Sequence, residues 1–106
     1  MTLRQKQSLF VRMLGRLIHQ AEILGYELTL GRGFASEAAN KADGGHKKSN
    51  HLIALAQDLN LFKNGRYLTS TKSHEPLGLY WESIGGTWGG RFNDGNHYSL
   101  EHNGVK

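Results

Sequence analysis

Cysteine is absent from this 106-residue chain, so neither a disulfide framework nor a thiolate metal site is open to it. A metal, if held, must rest on histidine and carboxylate. Proline occurs once, at Pro76, and no linker, internal repeat or low-complexity segment interrupts the chain. No apolar run approaches the ~18 residues needed to span a bilayer, so no membrane insertion is expected. The stretch MTLRQKQSLFVRMLGRLIHQ is periodic and broken by charge, and does not read as a secretory signal. Acidic residues are outnumbered 9 to 13 by Lys and Arg, giving a net charge of +4. That balance admits an anionic partner, whether nucleic acid, lipid or wall polymer. The cations are scattered, and their densest cluster, HKK at His46 to Lys48, reads by itself as a solvated loop.

What is present is ordinary for a soluble domain: 38% hydrophobic and 21% charged residues. The length fits one domain, residues 1–106. Leu3, Phe10, Leu14, Leu17, Ala21 and Leu24 recur at helical spacing, behind a capping box opened by Thr2 and ahead of a stop at Gly25. His19 falls beside that stripe, at the surface. YELTL (Tyr26 to Leu30) alternates as a strand, and Ser36 opens a short polar helix. From Asp58 onward the chain alternates again, with Leu59 and Leu61 on one face and Asp58 and Asn60 on the other. KNG (Lys63 to Gly65) then turns a hairpin into RYLTS. Pro76 suits the first turn of a helix, with Ser73 as its cap and Gly85 and Gly86 ending it. TWGGRFNDG reads as a loop, and NHYSLEH as a strand bearing His97 and Ser99 on one face. The expected class is α+β, a small, largely antiparallel sheet with flanking helices.

Within SNHLIALAQDLNLF, His51 and Asp58 lie seven positions apart among apolar residues. On a helix they would share a face but stand ~10 Å apart along the axis, too far to share an ion. A turn at His51 leading into a strand at Asp58 fits better. Asp94 and His97 lie three apart near the other end. Buried His and Asp are costly unless partnered. His51, Asp58 and His97 could form a three-ligand zinc site that leaves a position for water, with Asp94 as general base. Hydrogen-bonded structural groups explain the same residues, and a His-metal nuclease is a further possibility.

SNHLIALAQDL resembles the SxHxxGxAxDL signature of the zinc D-alanyl-D-alanine peptidases. WGGRFNDGNH is similar to the second signature of their phage L-alanyl-D-glutamate endopeptidase branch, where WGG precedes DxxH. The likeness covers residues 26–106. It implies the hedgehog/DD-peptidase fold, Zn2+ held by His51, Asp58 and His97, and Asp94 as catalytic base. Ser49 matches the leading serine and Trp88 the WGG run, and both are expected at the substrate. Ala54 stands where the family has glycine, a change that a strand would tolerate. Ala35 stands where the family places an arginine, so Arg32 or Arg91 is expected to reach the substrate instead.

The resemblance thus implies a zinc peptidase cleaving peptidoglycan stem peptides, a monomer that binds no nucleic acid. It further implies a phage endolysin, made in the host cytoplasm and reaching the cell wall once another protein opens the membrane. D-alanyl-D-alanine carboxypeptidase activity, or a non-catalytic module binding cell wall or nucleic acid, are the alternatives.

Overall fold

The computed structural model of the chain covers all 106 residues. Helix α1 (Leu3–Ile23) begins with Thr2 accepting from the Gln5 backbone while the Gln5 side chain accepts from Thr2 in return. It ends at Leu24, followed by Gly25 at φ 82°. The buried stripe is Phe10, Met13, Leu17 and Ala21, whereas Leu3 and Leu24 at the two ends are exposed. The stripe therefore turns slightly from the one expected and includes Met13.

Strand β1 (Glu27–Leu30) leads to helix α2 (Glu37–Ala42), capped by the Ser36 hydroxyl accepting from Ala39 N–H. A 3-10 turn (Asn50–Ile53) ends at Ala54, which sits in the left-handed region at φ 56°, ψ 38°. Ala54 is thus no strand residue. It occupies a conformation that glycine adopts freely and that costs an L-residue ~1–2 kcal/mol. Strand β2 (Ala56–Lys63) follows, and Asn64 and Gly65, both at positive φ, turn it into β3 (Arg66–Leu68). Helix α3 (Glu75–Ser83) carries Pro76 in its first turn, but His74, not Ser73, precedes it. Ser73 lies within a 3-10 turn, and its hydroxyl donates to Ser70 O. The expected glycine-rich loop begins instead as strand β4 (Thr87–Trp88) and a 3-10 turn over Gly89–Phe92, before β5 (His97–Ser99).

All pairings are antiparallel, in the order β1-β2-β5-β4, with β3 also on β2. The class is α+β, as expected. Alternation along β2 buries Leu59 and Leu61 against α1 and α3, leaving Asp58 on the opposite face. Trp81 of α3 is fully buried between Phe10 and Tyr98, edge-on to both at 5.7 and 6.1 Å. Its indole N–H reaches Ser99 O at 2.9 Å, which ties the helix to the strand that begins with His97.

Candidate metal centre

Three segments converge at one end of β2. Asp58 and His97 are direct partners across the β2–β5 ladder. His51 enters from the 3-10 turn, where the Ser49 hydroxyl accepts from its backbone N–H. The ladder thus brings together residues 39 positions apart, while a short turn supplies the third.

The donor atoms fit a metal. His51 Nε2 and His97 Nδ1 each lie 3.3 Å from Asp58 Oδ1. Ligand atoms at zinc bond lengths in a tetrahedron are about 3.3 Å apart. One donor from each of the three residues falls within 4.8 Å of the others. Asp58 Oδ1 is buried and has no properly directed hydrogen bond, a costly state that a cation would relieve. His51 Nδ1 contacts Gly33 O at 2.9 Å. With the proton on Nδ1 as donor, the lone pair of Nε2 faces Asp58, the tautomer a metal ligand requires.

Electrostatics agree. Burial works to push the His51 imidazole down, but Asp58 and the Gly33 carbonyl outweigh it and raise its pKa. Burial works to push the Asp58 carboxyl up, yet the two imidazoles hold it below the usual range, keeping it anionic. Asp94 is different. Burial raises its carboxyl, the His97 ring opposes that rise, and the charge of Asp58 adds to it. Its Oδ2 stands 4.0 Å from His97 Nδ1, and its side chain is half exposed. This carboxyl is beside the cluster and open to solvent.

Gly89 makes the arrangement possible. A Cβ there would collide with Asp94 O and His97 Cβ. The loop can lie against β5 only without a side chain at this position.

A cavity of about 670 Å3 opens over the cluster, lined in part by Ser49, His51, Asp58, Asp94 and His97. Ser49, expected at the substrate, is on the wall of this cavity. Arg32 does not line the cavity: it donates at 2.6 Å to Asp43, which stands on the cavity wall. Arg91 is likewise drawn away by Glu82, at 2.7 Å. Trp88 is buried in the core, its indole N–H donating to Gly95 O, so it braces the loop and does not line the cavity. Ala35 is buried too, and its N–H holds His51 O. Phe92 and Asn96 also line the cavity, though the sequence does not single them out. Their position within FNDGNH, flanking Asp94, was the available signal.

The sequence model of a family described as D-alanyl-D-alanine carboxypeptidase matches residues 42–100, more than half of the chain. The match takes in His51, Asp58, Asp94 and His97 together. Comparison with curated proteins gives no match.

Proposed function

The chain belongs to the D-alanyl-D-alanine carboxypeptidase family of zinc metallopeptidases, and on that premise we propose that it is an L-alanyl-D-glutamate endopeptidase acting on peptidoglycan stem peptides. The observation that carries the metallopeptidase part of the reading, common to either bond, is the half-exposed Asp94 carboxyl beside the His51, Asp58 and His97 donors, on the wall of a single cavity. The proposal extends to a phage endolysin that acts on the wall after the membrane is opened. Support for that extension is the likeness of WGGRFNDGNH to the phage branch.

His51, Asp58 and His97 would hold the zinc. When bound, zinc supplies a Lewis acid that brings the pKa of a water toward ~7 and takes up negative charge at the scissile carbonyl. The chain's own residues do the rest. Asp94 accepts a proton from the attacking water and returns it to the departing amine. A carboxyl raised by burial is better matched to that exchange than an ordinary one. Gly33 O fixes the His51 ring through Nδ1, and Ser49 fixes the turn that carries it. The cavity is large enough to take residues on both sides of a scissile bond.

D-alanyl-D-alanine carboxypeptidase activity is the second reading, favoured by the description of the matching family. Mass spectrometry of fragments from defined muropeptides separates the two. Free L-alanine-terminated glycan and a stem peptide beginning at D-glutamate support the endopeptidase, whereas release of a single D-alanine overturns it in favour of the carboxypeptidase.

A further inference from the structure

A second cavity of about 350 Å3 adjoins the first, and Ser49 and Val105 line both. Its lining includes Lys47, Lys48 and His102, over an apolar floor of Leu52 and Ile53. No Asp or Glu side chain lines it. Lys6 joins the group from α1, its ammonium 3.2 Å from His102 Nδ1 and 3.1 Å from Glu101 O. No carboxylate lies within salt-bridge distance of Lys6, Lys47 or Lys48, although the chain pairs Arg32 and Arg91 with acids elsewhere. The HKK cluster is an exposed loop, as expected, and its two lysines also border a cavity that opens beside the candidate metal centre.

We propose that this pocket is a subsite for a carboxylate that the substrate carries beyond the residues flanking the scissile bond. The proposal rests on the peptidase reading above. A peptide seated over His51 and Asp94 that extends past Ser49 meets Lys47 and Lys48, neither of which is in a salt bridge. Its apolar stem lies on Leu52 and Ile53, while its carboxylate meets Lys47 and Lys48. Charge-assisted hydrogen bonds of this kind are roughly twice as strong as neutral ones. The pocket thereby sets a preference for stem peptides whose remote carboxyl groups are free over those in which they are primary amides.

The test compares two matched stem peptides, carboxyl groups free or amidated, using the zinc-loaded full chain and the double variant K47Q/K48Q. The wild type should favour the free acid by about tenfold in kcat/KM, expressed in KM. In the double variant that gap should close. Equilibrium binding of both peptides to Asp94→Asn protein, measured in parallel, should show the same preference without turnover. A preference equal in wild type and variant overturns the subsite. So does retention of duplex DNA by wild type but not by the variant, which would give these cations to nucleic acid. If wild type cleaves neither peptide, the peptidase reading fails, and the binding experiment still decides the carboxylate subsite.

Discussion

Asp58 and His97 face one another across the β2–β5 ladder, with His97 Nδ1 3.3 Å from Asp58 Oδ1. Pairing register therefore sets the centre. A slip of one residue would send His97 to the other face of the sheet and leave Asp58 with His51 alone. Of the three donors, only His51 owes its place to a local turn.

Metal content tests the cluster. Purified protein should hold about one zinc, and His51→Ala or His97→Ala should lose it, since three ligands cannot spare one. Equal zinc by elemental analysis in wild type and both variants would refute the site.

Asp94 and Asp58 should separate by role. Asp94→Asn should keep zinc and fold while losing hydrolysis by a factor of ~100 or more. Asp58→Asn should weaken metal affinity instead. Zinc retention by Asp58→Asn with release from Asp94→Asn would exchange the two assignments.

Much of this was legible in the sequence because the signals were local. The capping box at Thr2, the Asn64–Gly65 turn and the alternation through Leu59 and Leu61 each lie within a few residues of their cause. Both motif halves kept their order and spacing. What escaped was tertiary. Gly33 O holds His51 across eighteen positions through the backbone, which carries no mark of residue type. Arg32 looked free to reach a ligand until α2 brought Asp43 beside it. Two-residue β4 is too short to alternate, so TWGG read as a loop.

Gly89→Ala should cost ~1–3 kcal/mol, as overpacking against backbone does, and should reduce zinc content with all three donors untouched. Thermal unfolding and metal analysis on one preparation check both. Full zinc at wild-type stability would show that the loop can retreat from β5.

Ala54→Gly should stabilise. Relief of the left-handed strain, ~1–2 kcal/mol, exceeds the added chain entropy of glycine, ~0.4–1 kcal/mol. A rise of several degrees in Tm is expected. A fall would mean that the Ala54 methyl contributes packing that outweighs the strain.

Acid should destabilise through His74. It is 2% exposed, contacts the Tyr98 hydroxyl at 2.9 Å, and has its pKa lowered by burial. A histidine depressed in the folded state contributes stability fully above its unfolded pKa of about 6.5, and this is lost as pH falls below that value. His51, raised in the metal-free fold, has the opposite sign, so the comparison is made between variants. In chelator-treated protein, His74→Gln should lose less Tm than wild type between pH 7 and pH 5. Identical slopes would remove His74 as the cause.

The segment from Gly31 to Ala35 is stitched to both first-motif donors through its backbone. Gly31 N–H bonds Asp58 O, Asp58 N–H bonds Arg32 O, and Ala35 N–H bonds His51 O. Those three amides can open only when the segment peels away from His51 and Asp58. Their hydrogen exchange should thus slow together when zinc is added, as a cooperative unit gaining protection. Slowed exchange at these three amides would make them a gauge of metal loading, readable at named backbone positions with no substrate present.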